Sequence, residues 1–407
     1  MVDATDPLQP RPYQEPGICA AAQDLYRWSV NTDLRQRAHD KLARAAGQGL
    51  DLVAFWRACT PVLAEVVPHY HAPCWHTLDP ASLLITSHFD EGIPEVPVEW
   101  LVAEYLEDDV NKLADVARSQ RGVQTLHEVT GGDPSGTPRW QENMALGADQ
   151  ELVAALRTRG GEVWGAIGLY REPDRPLFDR DEIAFVRSVS PLLAEGARRA
   201  LLVGEATDPE GSESPGLVVL DERLSVESTT PGVERWLTDL PGGAWERRVL
   251  PPAITAVAAR ALTTVEAPSA ASELAVARVR ARSGTWVILH GAVMAAGSAR
   301  RLAVIVEPAR GGRVSALLMS AYGLTDRERD VTRAVLQGAS TAEIAEELIV
   351  STHTVQQHLK SIFDKTGVRS RRELVGRVFF KHYEPRLRDN EQRALNGQPL
   401  RGGPTVP

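Results

Sequence analysis

"STHTVQQHLKSIFDKTGV", residues 351–368, is the stretch from which the rest of the chain can be read. The Ser351 hydroxyl can cap a helix and Gly367 can end it. Between them Val355, Leu359, Ile362 and Phe363 recur at i, i+4, i+7 and i+8, the spacing of one buried helical stripe. The opposite side carries His353, Gln356, Gln357 and Lys360. Long polar side chains in a row on a helix call for a partner with donors and acceptors of its own.

The flanks predict further helices. Thr325 with Glu328, Ser340 with Glu343 and Ser370 with Glu373 have the spacing of capping boxes. Val331, Ala334 and Val335 give the first helix a core face, and Gly338 ends it. Ile344, Ala345 and Leu348 do the same for a short second helix. Leu374, Val375, Val378 and Phe379 mark a last one. Two short helices joined by a tight turn, with small Ala345 at their crossing, make a helix-turn-helix. Such a unit lays its second helix in the DNA major groove. There a glutamine can pair with adenine and a lysine can reach guanine. Thr352, Thr354, Lys365, Arg369 and Arg371 lie toward the helix ends and suit phosphate oxygens.

Residues 324–380 closely resemble the LuxR-type DNA-binding domain. The pattern is LT-x-RE at 324–328, G-x-S at 338–340, EIA at 343–345, S-x-x-TV at 351–355, HL at 358–359, K-x-GV at 365–368 and SR at 370–371. The resemblance implies base contacts at Gln356, Gln357 and Lys360, with Thr354, His358 and Lys365 as backbone contacts or supports. It also implies dimerisation through the last helix, by Leu374, Val378 and Phe379. Position 356, often basic in the family, is Gln here, which lowers the expected phosphate affinity.

Charge agrees with this. The chain carries a net −9, yet residues 351–383 hold seven Lys/Arg against two Asp/Glu, leaving −14 for the rest. An acidic body joined to a small basic module is what a polyanion partner asks for. Composition is ordinary for a globular protein, and 407 residues favour two to four domains. There is no apolar run long enough to cross a membrane. The opening MVDATDPLQPRP is unlike a signal peptide, and three cysteines make no disulfide framework, so a cytoplasmic location is expected.

Ahead of the basic module, residues 1–34 are rich in Pro and Asp and read as a tail. Leu52, Phe55, Trp56, Cys59, Val62 and Leu63 predict a helix. "HAPCWHTLDPASLLITSHF" predicts two strands about Asp79-Pro80, a helical stretch follows over 98–118, and Gly160-Gly161 turns a hairpin. A helix opens near Asp179 with Ile183, Val186 and Leu193 on one side. Through "CWHTLDPASLLITSH", "EYLEDDVNKLADVARS" and "EVWGAIGLYREPDRPLFDRDEIAF", residues 35–204 resemble a GAF domain, in the pattern of actinobacterial regulators. The resemblance implies an antiparallel sheet with helices, a common seat of small ligands or of dimerisation. A linker at 206–216 follows. Residues 205–312 then read strand–strand–helix–helix–strand–strand–strand, an order that resembles a PAS domain. "RGGRV", 310–314, is a second linker.

The fold expected is therefore α+β and multidomain: tail 1–34, GAF-like 35–204, PAS-like 205–312, four-helix DNA-binding module 313–383 and tail 384–407. Several side-chain groups invite other chemistry. His69, His71, Cys74 and His76 could hold a metal or haem, but the odd spacing of His71 and Cys74 sends them to opposite strand faces. Cys59 with Cys74 could be a redox pair, and Trp75, Trp100, Tyr105 and Trp164 could line a cavity. Glu107, Asp108 and Asp109 read as a solvated helix face. No G-x-x-x-x-G-K-[ST] occurs and no nucleophile–base pair stands out, so neither an ATPase nor another enzyme is expected. No cofactor and no metal is expected. The expected partners are double-stranded DNA, a second copy in a homodimer, an unidentified small effector and RNA polymerase. The alternative expectation is a constitutive DNA binder whose front domains are a ligand-free scaffold.

Overall fold

Antiparallel pairing builds two five-stranded sheets, and a bundle of short helices follows them. A computed structural model describes residues 20–89, 98–201, 215–266, 275–296, 299–309, 322–336, 339–371 and 373–374. Gly338, Val375, Val378, Phe379, the linkers at 206–214 and 310–314 and the tail at 384–407 lie outside the described residues.

The first sheet contains β1 (Tyr70–Leu78), β2 (Ile85–Phe89), β3 (Val123–Thr125), β4 (Gln150–Arg157) and β5 (Val163–Arg171), in the order β2-β1-β5-β4-β3. Helices α1 (Ala20–Gly47), α2 (Leu52–Val66) and, after the sheet, Arg180–Ala200 cover one face. Leu152, Ala154 and Leu156 of β4 point to that core. Val153 and Ala155 point the other way, to α3 (Val98–Leu106) and α4 (Leu113–Arg118). Both faces are covered, which is why β4 and β5 read as unbroken apolar runs. Helix Arg180–Ala200 opens at Asp179, as expected, and the structure adds a capping box between Asp179 and Glu182. Its Gly196 admits the Phe55 ring where any Cβ would collide.

Three expectations need correction. Residues 20–34 are not tail but the start of α1. The prolines stop at Pro16, and the alanines from Ala20 favour a helix. The stretch 98–118 is two helices, because Asn111 takes a left-handed φ of +60° between them. Glu107, Asp108 and Asp109 lie in that break rather than on a helix face, and Asp109 accepts from the Arg139 amide at 2.8 Å. The short strand β3 and helices α5 (Leu126–Val129) and α6 (Pro138–Ala145) had no sequence signal strong enough to predict them. In order, helix Arg180–Ala200 is α7.

The second sheet contains β6 (Gly216–Leu220), β7 (Val226–Thr229), β8 (Val276–Arg280), β9 (Trp286–Ala296) and β10 (Ala299–Pro308), in the order β7-β6-β10-β9-β8. Each sheet thus runs second-first-fifth-fourth-third. Helix α8 (Val233–Asp239) and helix α9 (Pro252–Glu266) follow β7. The run from Ala253 to Ala259 is buried all round, since α9 packs on its own sheet and also on α3 and β2 of the first unit. Asp79, in the β1–β2 turn, accepts three bonds from Arg278: from the amide at 2.8 Å, Nε at 2.9 Å and Nη2 at 2.6 Å.

Helices α10 (Asp326–Leu336), α11 (Thr341–Glu347) and α12 (Thr352–Thr366) share a third core of Leu324, Val331, Val335, Ile344, Val355, Leu359 and Ile362. No described helix is long and apolar enough to cross a membrane.

Candidate nucleic-acid interface

The polar row identified from sequence stands on α12, and local chemistry sets both ends of that helix. The Ser351 hydroxyl accepts from the Thr354 amide at 3.0 Å, and Gly367 closes the helix at φ +67°. Ahead of it, Ser340 and Glu343 complete the capping box of α11. Thr325 and Glu328 do the same for α10, at 2.7 and 3.4 Å. The Ser370–Glu373 pair is altered: Ser370 accepts from the Glu373 amide, but the Glu373 carboxylate accepts from Arg369, one residue further out.

Val355, Leu359 and Ile362 are buried, and Phe363 is partly buried against them. His353, Gln356, Gln357 and Lys360 are all exposed on the other side. Gln357 and His353, one turn apart, contact each other at 3.1 Å. Thr352 and Arg369 are exposed, and Thr354 and His358 half-buried.

Three expected site residues also have neighbours inside the bundle. The exposed Lys365 side chain donates to Glu328 at 2.6 Å and so ties α12 to α10, the supporting role that the resemblance allowed. Arg371 turns Nε and Nη2 inward, where no described residue meets them. Leu374 is fully buried in the bundle core. Glu328 is the anchor that sequence reading assigned only to a cap. It accepts from Lys365, from the Ser361 hydroxyl at 2.6 Å and from the Thr325 amide. Burial pushes its pKa up, but those hydrogen bonds outweigh burial and hold it below the ordinary carboxylate value.

The next residue on α10 faces the first sheet. Arg329 Nη2 donates to Glu162 at 2.6 Å, in the β4–β5 hairpin, while its Nη1 holds Asp326 at 3.2 Å. Trp164, Leu201, Trp286 and Tyr322 pack beside this contact. A cleft of about 650 Å³ lies between hairpin, α7 and the start of α10, with Arg159, Glu195, Arg198 and Arg199 on its wall.

The other candidates are scattered. His76 is buried, with its Nδ1 3.2 Å from that of His88 and its ring stacked 5.5 Å from Trp100. Burial, then the charges of His88 and Arg139, hold the His76 pKa well below its usual value. His69 instead contacts the Val67 carbonyl, and His71 lies against Tyr70 at φ +60°. Among the described residues, no three His, Cys, Asp or Glu come together as metal ligands would. Cys59 and Cys74 fall in separate clusters, and burial pushes the Cys59 thiol up to about 12. Trp75 stacks on Trp56 at 4.3 Å, and Tyr105 Oη accepts from the Ile85 amide, so these rings do not share one cavity with Trp164. Sequence reading missed Arg139, a buried side chain bonded to Glu104 at 3.1 Å and Glu151 at 2.7 Å.

Comparison with known proteins matches both ends of this architecture. Residues 323–378 match the bacterial regulatory proteins of the luxR family, and residues 35–196 match the GAF domain. Over 52 residues the chain is 50% identical to the HTH-type transcriptional regulator Mb0914c of Mycobacterium bovis, covering 13% of this chain and 6% of that one. It is 46% identical over 56 residues to the monoamine regulon transcriptional regulator of Klebsiella aerogenes, covering 14% and 25%. It is 42% identical over 52 residues to the spore germination protein GerE of Bacillus subtilis, covering 13% and 70%. The chain therefore spans a small part of the first relative and most of the last. With its helix-turn-helix at one end and a GAF domain at the other, this chain belongs to the luxR family of bacterial regulatory proteins.

Proposed function

We propose that the protein is a cytoplasmic transcription regulator that binds duplex DNA with α12 in the major groove. One observation carries this reading: the helix buries Val355, Leu359 and Ile362 while His353, Gln356, Gln357 and Lys360 stay in solvent on the other side. Gln356, Gln357 and Lys360 read base edges, and Thr352, Thr354, His358 and Arg369 steady the backbone. The working form is a homodimer, because paired half-sites need two recognition helices about 34 Å apart. Residues 205–312 are its PAS-like middle domain.

The proposed control is a signal received in the front units. The Glu162–Arg329 contact supports it, since it joins the sensor hairpin to the helix whose Glu328 anchors α12. An effector that favours one arrangement of this contact shifts the DNA-competent population by its difference in affinity. In the rival reading the front units are a scaffold and DNA binding is constant.

The test is selection from a randomised duplex pool by the full chain. Gln356→Ala and Lys360→Ala should each cost about 1–3 kcal/mol and relax base preference, whereas Arg369→Ala should weaken all duplexes alike. Unchanged discrimination in the first two variants refutes the assigned face. A Glu162→Gln chain with unaltered DNA affinity supports the scaffold reading instead.

A further inference from the structure

Ile349 adopts a backbone conformation that its side chain opposes and gains no packing for it. The turn between α11 and α12 is a Schellman motif: the Val350 amide donates to the Ala345 carbonyl at 2.9 Å, and the Ile349 amide to Glu346 at 3.3 Å. This motif puts its next-to-last residue in the left-handed region, where glycine is the usual occupant. Here it is Ile349, at φ +55°. Among the described residues it is the one β-branched side chain with a positive φ. Leu224 offers the contrast: at φ +62° it is buried in the core of the second sheet. Ile349 is 92% exposed, while its neighbours Leu348 and Val350 pack against the bundle.

A strained residue that does nothing for its own core points to a partner. The partner is set by position. Ile349 stands two residues before the Ser351 cap, so its side chain adjoins the amino end of the helix whose exposed row faces DNA. We infer that Ile349 is a further specificity-determining residue of this interface, laying its methyl groups on apolar DNA surface: a thymine C5-methyl or a deoxyribose edge. Apolar contact with thymine methyl is an established form of readout, and here it supplements the polar row. The inference rests on the DNA-binding reading above.

The experiment uses the full chain and the duplex it enriches from a randomised pool. Ile349→Gly should raise the melting temperature by roughly 2–4 °C, since glycine relieves the left-handed strain. The same variant should bind the enriched duplex roughly five- to tenfold more weakly. Ile349→Asn, polar yet tolerant of this φ, should lose affinity in the same way. Replacing thymine by deoxyuridine then separates the two DNA surfaces. A loss in wild type that is absent from the glycine variant identifies the methyl, and no loss in either identifies the sugar. Affinity unchanged in both variants overturns the proposal. So does a fall in melting temperature with Ile349→Gly, which would make the side chain a support for the turn. If the wild-type chain enriches no duplex while Lys360→Ala also changes nothing, the DNA-binding reading itself fails and takes this contact with it.

Discussion

Among the described residues two ionic contacts join the units of this chain, and they differ in burial. Asp79, only 1% exposed at its side chain, is gripped by Arg278 through the backbone amide and through Nε and Nη2 of the guanidinium. Glu162 meets Arg329 through one bond, and each side chain is about a quarter exposed. The first contact is surrounded by packed apolar surface from α3, β2 and α9. The second borders an open cleft. A buried pair is hard to separate because an unpartnered charge cannot be left behind, whereas a wet pair parts at little cost. The front two units should therefore move as one body, with the DNA-binding module held to it by a contact that can open.

The sharpest way to break that contrast is Arg278→Ala. It leaves Asp79 buried without its partner and should cost about 3–5 kcal/mol in chemical denaturation of the front units. A cost near zero would mean that the two front units are independent. Next comes the anchor inside the bundle. Lys365→Ala should destabilise the module by about 1–3 kcal/mol through the stranded Glu328, and lower DNA affinity by unfolding rather than by a changed salt slope.

The two titrations expected differ in position. The pKa of Glu328 is depressed in the fold, so its contribution is present above the unfolded value and fades as pH falls through the carboxylate range. Glu328→Gln should flatten that acid limb. The pKa of His76 is also depressed, but from the imidazole value, so the unfolded chain takes up a proton that the fold refuses. The first unit should lose stability as pH drops below about 6.5, and His76→Phe should weaken the dependence, leaving the part that belongs to His69, whose pKa burial also lowers. Acid melts followed separately on front units and module would tell the two apart. The smallest stability effect belongs to Glu162→Gln, about 0–1 kcal/mol, despite the change in DNA affinity proposed for it.

Local rules made much of this legible in advance. Caps at Thr325, Ser340 and Ser351, the stop at Gly367, and the 3.6-residue stripe through Val355, Leu359 and Ile362 are contacts within a few residues of chain. Their physics is complete in a short window, so the DNA-binding module could be drawn from sequence. The five strands and two α-helices described in the second unit were legible for the same reason, each carrying its own period and turn, whereas the single 3₁₀ turn at Trp245–Arg247 was not. The short β3 and the helices α5 and α6 were not, since a few residues carry no period.

What only tertiary structure decided lies between residues far apart in the chain. Asp79 meets Arg278 across 199 positions, and Glu162 meets Arg329 across 167. Glu328 looked like a cap, but folding brings it Lys365 and Ser361 as well. The charge of Lys365 was visible in the sequence and its partner was not. Leu374 is an apolar residue, and sequence does not say which surface will bury it. Charge and hydrophobicity are properties of a residue, whereas burial and pairing are properties of its surroundings, and only the fold supplies those.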